Sequence, residues 1–167
     1  MADDNLKQLY LQGLQALHTA GERGSAAAAA ILQAASAPEL KQQLEEGSRI
    51  AARQAEQLRR LFGKLGEQPA GGGQPNEIID GILAAGERIR GVAKDDATRD
   101  AGIIAQGQIA LHYHIAAYGT LAAYAKVLGM NDDAATLKGM VEETKAADER
   151  YSELAERLVN PRAEGTA

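Results

Sequence analysis

The sequence predicts an all-α protein built as a four-helix bundle, and three observations carry that expectation. From Ala101 to Ala125 the chain holds no Asp, Glu, Lys or Arg, although 25% of its residues are charged. Elsewhere apolar residues recur every three or four positions, the helical period, and no stretch sustains the alternation that marks a strand. Alanine dominates the apolar positions, while aromatic residues make up 4% of the chain and Trp is absent; small side chains suit closely packed helices, whereas sheets favour β-branched and aromatic residues.

The first helix is expected after Asp3 and Asp4, whose short acidic side chains suit an N-cap, and to run to about Ala35. Its apolar stripe reads Tyr10, Leu14, Leu17, Gly21, Gly24, Ala28, Ile31 and Ala35. Ser36 to Glu39 has the form of a capping box and marks a sharp junction into a second helix. That helix extends to about Leu65, with inward positions Leu40, Leu44, Gly47, Ala51, Gln54, Leu58, Leu61 and Leu65. Gly66 to Pro75 is rich in Gly and Pro and reads as a flexible connection inside one domain. A shorter helix from about Glu77 to Val92 follows, and the polar turn Lys94 to Thr98 leads into the charge-poor helix, which ends near Gly129. Asn131, Asp132 and Asp133 are expected to cap a last helix reaching about Val159, with Leu137, Val141, Thr144, Asp148, Tyr151, Leu154 and Leu158 inward. The expected domain covers residues 1–160, and residues 161–167 read as a flexible tail.

Four long helices with a short fifth one in the connection between the second and third imply a long crossover, and the ferritin-like four-helix bundle is a fold with one such crossover. A simple up-down bundle and a helical-repeat fragment are the rivals, the latter weakened by the lack of an internal repeat.

Composition narrows function. There is no Cys, which removes disulfides, thiolate metal sites and thiol catalysis and suits a reducing, cytoplasmic setting. The first residues, MADDNLKQ, carry acid where a secretion signal carries base. A net charge of -5 opposes binding to nucleic acid, which depends on Lys and Arg meeting phosphates, and the cluster Arg59, Arg60 and Lys64 reads as a solvated helix edge. The charge-free run is long enough to span a bilayer. Gln106, Gln108, His112, His114 and Thr120 would lose water there, and no one-sided excess of Lys and Arg flanks it. A central bundle helix is the better reading, and no membrane partner is expected.

Two of the three His and three of the five Tyr fall in this run. His112 and His114 are two residues apart, so on a helix they point away from each other and do not chelate one ion. His114 shares a stripe with Gly107, Leu111, Tyr118 and Leu121; it is expected to be a buried neutral imidazole bonded to Asp148 or Tyr151 of the last helix. His112 reads as a structural hydrogen-bonding residue, His18 as a surface or packing residue, and Tyr113, Tyr118 and Tyr124 as packing residues. The pairs Glu45–Glu46 and Glu142–Glu143 read as solvated charge. No phosphate-binding glycine motif, nucleophile elbow or HExxH is present, so no catalytic or cofactor-binding residue is assigned.

The stretch LHYHIAAYGT from Leu111 to Thr120, with LHTAGER from Leu17 and PELKQQLEEGSRIAARQAEQLRRL from Pro38, resembles the YciE/YciF-like family, a ferritin-like group of unknown function, across nearly the whole chain. That family reads E-H-Y-E-I-A-A-Y-G-T in the first of these. The resemblance implies a ferritin-like fold, a bacterial stress setting and, in typical members, a di-metal carboxylate centre of Glu and His ligands suited to iron or manganese. This chain departs from the pattern at the ligand positions, which hold Gly21, Gly47, Ile50, Ala85, Leu111, His114 and Thr144; the family Thr beside Ile50 is Ala51. The expectation is therefore a non-enzymatic bundle without cofactor or metal, a homodimer with an unidentified protein partner. The alternative is a protein binding iron or manganese at an altered centre of His114, Asp148 and Glu143, helped by Glu22 or Glu46, with oxidoreductase activity. Gly21 and Gly47 either allow close helix contact or leave a cavity, which would take an apolar small molecule.

Overall fold

The computed structural model describes residues 2–70 and 74–165, with side chains from Asn5 onward. They form the helices α1 (Ala2–Ala34), α2 (Pro38–Lys64), α3 (Glu77–Val92), α4 (Asp96–Val127) and α5 (Asn131–Leu154), a π-helical turn (Ala155–Val159) and α6 (Asn160–Glu164). No strand occurs among the described residues. Helices α1, α2, α4 and α5 make a bundle in which α1 packs on α2 and α4, and α5 packs on α2 and α4; the crossover helix α3 lies on α1 and α4.

Most boundaries follow from local chemistry. Helix α2 ends in a Schellman turn, with Glu67 N–H donating to Phe62 O at 3.1 Å and Gly66 N–H to Gly63 O at 3.1 Å. Helix α4 ends the same way, with Met130 to Ala125 at 2.8 Å and Gly129 to Lys126 at 3.2 Å. Gly66 and Gly129 sit at φ 72° and 75°, the left-handed conformation this motif needs and side chains resist. Asn76 caps α3 by accepting from Ile79 N–H at 3.2 Å, and Asp95 caps α4 by accepting from Thr98 N–H at 2.8 Å. The connection before α3 is tied down: Gln15 accepts from Ala70 N–H at 2.8 Å and donates to Ala70 O at 3.3 Å. Residues 71–73, part of the stretch expected to be flexible, lie outside the described residues.

Several expectations are corrected. Helix α1 already includes Asp3 and Asp4. Ser36 forms no capping box: Ala37 is the N-cap of α2 and makes no side-chain cap bond. The carboxylate of Asp100, from α4, takes that role, accepting Ser36 N–H and Ala37 N–H at 2.8 Å each while only 3% exposed. Met130, without a side-chain cap bond, precedes α5 in place of the expected Asn-Asp-Asp cap. On α2, Ile50 is buried and Ala51 exposed. The π-turn after Leu154 inserts an extra residue into the helical repeat, so Val159 becomes the buried anchor at 1% exposure, and Leu158 is partly buried. Residues 160–164 continue as helix and pack on α4.

Replacing Asp100 by Ala should leave helix content intact and lower stability by about 2–4 kcal/mol, because two orphaned amides lose a charged acceptor. Asn, which keeps one acceptor oxygen, should cost roughly half as much. Urea unfolding checks this, and an Ala variant as stable as the parent would refute the staple.

Candidate functional site

The apolar core comes in two clusters. One gathers Tyr10, Leu14 and Leu17 of α1 with Leu58, Leu61, Phe62, Tyr118, Leu121 and Leu137 at one end of the bundle. The other gathers Ala35, Leu40, Ile103, Ile104, Tyr151, Leu154 and Val159 at the opposite end. Of the positions where the resemblance implies metal ligands, Gly21 on α1, Gly47 and Ile50 on α2, His114 on α4 and Thr144 on α5 fall between the two, and Leu111 of α4 packs against the second. The contacts of Gly13 with Leu121, Gln54 with Tyr118 and His112 with Asp148 fix this common level. Ala85 stands apart. Its neighbour Gly86 abuts Gln106, about two helical turns from His114 along α4.

Between the clusters a hydrogen-bonded knot joins three helices. Tyr118 O–H donates to Gln54 Oε1 at 3.1 Å. The Gln54 amide donates to Glu143 Oε2 at 3.0 Å and Thr144 Oγ1 at 3.3 Å, and Thr144 donates onward to Met140 O at 2.7 Å. Arg53 covers the outer side by donating to Glu143 Oε1 at 2.7 Å. Gln54 and Thr144 are buried, and Glu143 is half-buried. Both polar atoms of the Gln54 carboxamide therefore have partners, the oxygen on α4 and the nitrogen on one turn of α5. Glu143 is a member of this knot and not a solvated charge.

The histidines are arranged differently from expectation. His112, not His114, meets Asp148, with Nε2 3.0 Å from Oδ2; the His112 side chain is 67% exposed. Asp148 Oδ1 is buried with no partner. His114 Nδ1 donates to Ala110 O at 2.8 Å, and its ring lies against those of Tyr113 and Tyr118. Burial holds its pKa below the ordinary 6.5, against the opposing pull of the Ala110 carbonyl, and its hydrogen-bond partner is that backbone carbonyl and not the expected Asp148 or Tyr151. His18 is buried, 3.5 Å from Glu22 and edge-on to Phe62. A Cβ built on Gly21 or Gly47 meets nothing, so neither glycine serves close helix contact. The glycines that do are Gly13, Gly86, Gly102 and Gly107, against Leu121, Gln106, Ile89 and Tyr151.

Among the described residues no three His, Asp or Glu side chains assemble as a metal site. Of the alternative set, His114 is bonded to backbone, Asp148 to His112, and Glu143 to Arg53 and Gln54; Glu46 is bound by Arg49. The sequence shows Gln54 as an inward polar residue in an apolar stripe but not what it bonds to. Asp133 does more than the capping expected of it. It is 4% exposed and accepts from Lys64 at 2.6 Å and Tyr10 at 3.4 Å, which makes Lys64 part of a three-helix joint. Asn76 likewise donates to Ala16 O and Tyr113 Oη, docking the crossover on α1 and α4. No helix among the described residues is long and apolar enough to cross a membrane.

Fold and middle together define an all-α bundle whose centre is closed by side-chain hydrogen bonds. A profile of the family described as Domain of unknown function (DUF892) matches residues 5–164, and the chain belongs to that family. It is 38% identical over 89 residues to Protein YciF of Escherichia coli (strain K12); the match covers 53% of this chain and about half, 54%, of that protein. The crystal structure of the E. coli stress protein YciF superposes with a TM-score of 0.85 at 26% identity, covering 93% of this chain and 97% of that one. YcfI of Rhodopseudomonas palustris, described as "a putative structural protein", gives 0.83 at 32% identity, covering 88% and 92%.

The buried groups set a pH window. His114 has its pKa lowered by burial, so the unfolded chain protonates first; its contribution is present above 6.5 and lost as pH falls through the depressed folded value. Burial pushes Tyr151 up to about 12 and raises Tyr10 and Tyr118 further, Tyr10 also through Asp133 and Tyr118 also through Glu143. Their neutral phenols stabilise the fold below the ordinary value of 10.0 and cease to do so as pH rises through the folded values. Urea midpoints should therefore plateau between 6.5 and 10.0. His114→Gln should flatten the acid limb, and an unchanged acid limb would refute the assignment.

Proposed function

We propose that this protein is a non-enzymatic ferritin-like bundle that has lost the di-metal centre of its family and acts through its surface, as a homodimer with a structural or protein-interaction role in bacterial stress, in the cytoplasm. The observation that carries the reading is the knot of Gln54, Tyr118, Glu143 and Thr144, which lies between the two apolar clusters at the level where metal ligands would stand. Gly21, Gly47, Ile50, Ala85 and Leu111 offer no donor atoms, so the residues present do not fit a pair of iron or manganese ions. Buried carboxylates without metal would repel one another, and apolar or neutral hydrogen-bonded side chains avoid that cost. The names borne by the E. coli and R. palustris relatives, a stress protein and a structural protein, agree with this role.

The test is elemental analysis of protein expressed in medium rich in iron and manganese, combined with an assay of Fe(II) oxidation. The expected outcome is sub-stoichiometric metal and no oxidation above buffer. Stoichiometric metal that disappears in His114→Ala would overturn the proposal and establish the altered centre.

A further inference from the structure

The crossover joins neither apolar cluster. Among the described residues of 66–95, none belongs to the cluster around Tyr10 or to the one around Val159, and the joints at Gln54, Asp100 and Asp133 tie the other helices together without it. Helix α3 buries one large side chain, Ile79 at 2% exposure. Ile82, Leu83 and Ile89 are half-buried, while Ile78 and Val92 are 61% and 77% exposed. Its approach to α4 runs through glycines, Gly86 against Gln106 and Gly102 against Ile89, which bring the helices close with little side-chain surface to bury.

We propose that α3 is a lid: from Asn76 to Val92 it undocks as one unit from the groove between α1 and α4 while the four-helix bundle stays folded. Polar contacts hold it shut. Asn76, 6% exposed, donates to Ala16 O at 2.9 Å and to Tyr113 Oη at 3.1 Å, and Arg90 donates to Gln106 Oε1 at 2.6 Å. Arg23 and Asp80, 3.7 Å apart with side chains 41% and 45% exposed, add little. Water replaces each of these bonds once the surfaces part, whereas the two apolar clusters open only when the bundle unfolds, so the lid has the lower opening free energy. The walls of the groove lie in charge-free runs, residues 8–21 of α1 and 101–125 of α4, so undocking strands no charge in them. The chain is pinned on both sides, by Gln15 on Ala70 and by Asp95 capping α4, which confines the movement to the helix between. An open lid uncovers the Ala16 carbonyl, the Gln106 carboxamide, 5% exposed when the lid is shut, and Tyr113, whose ring lies edge-on to His114. The His114 ring in turn lies against Tyr118, the partner of Gln54, so the lid controls solvent access to the side chains that lead to the bundle centre.

Native-state hydrogen exchange of the full chain in low urea tests this. Amides of α3 should exchange about tenfold or more faster than those around Leu58, Leu121 and Leu137, with a shallow dependence on urea, because opening the lid exposes far less surface than unfolding. A covalent lock separates lid opening from fraying of the helix ends. A Cβ placed on Gly102 stands 3.8 Å from the Ile89 Cβ, a separation that a disulfide spans, and the chain has no Cys of its own. In the double variant Ile89→Cys with Gly102→Cys, oxidation should slow α3 exchange to the rate and urea dependence of the core, and reduction should restore it. Exchange of α3 in the parent protein with the urea dependence of the core would overturn the proposal, as would fast exchange that persists in the oxidised variant. The parent measurement decides alone if the Cys pair fails to fold or to oxidise.

Discussion

The middle of the bundle depends on one carboxamide. Gln54 is the point where α2, α4 and α5 meet through polar atoms, and its oxygen and nitrogen are both committed, to Tyr118 on one side and to Glu143 and Thr144 on the other. A buried amide is costly when unpaired and specific when paired, since few arrangements satisfy all its atoms at once. The two apolar clusters can be filled by many combinations of Leu, Ile and Ala. The register between them is what the Gln54 contacts set.

The ends of the bundle use the same device with charged acceptors. Asp100 holds the amides of the α1–α2 junction, and Asp133 holds Lys64 of α2 and Tyr10 of α1. Each is a nearly buried carboxylate that ties together segments distant in the chain. With the Asn76 contacts that dock the crossover, these polar joints punctuate a core of small and aliphatic side chains with a few aromatic rings, Tyr10, Phe62, Tyr118 and Tyr151.

Helix positions were largely legible. The span Glu77–Val92 was read from periodicity and is observed, and the stripes of Leu14, Leu17, Leu40, Leu58 and Leu61 pointed inward as expected. What escaped depended on distance in sequence or on a local change of repeat. The cap at Ala37 comes from a residue 63 positions away, which no capping pattern encodes. The π-turn moved the buried anchor from Leu158 to Val159 because a helical period was extended through a segment that breaks it. His112 and His114 were assigned to the correct opposite faces, but which one reached Asp148 depended on the rotation of α5 against α4. In the candidate site the sequence marked Gln54 and Thr144 as inward, and the hydrogen bonds that join them to Tyr118 and Glu143 became visible only when three helices were placed together.

If direct hydrogen bonding holds the bundle centre, Gln54 and Tyr118 must be energetically coupled. A double-mutant cycle of Gln54→Leu and Tyr118→Phe, read by urea unfolding, measures that coupling. The account predicts an interaction of about 1–2 kcal/mol, within the range for contacting residues of one network. Additive effects of the two substitutions would contradict it.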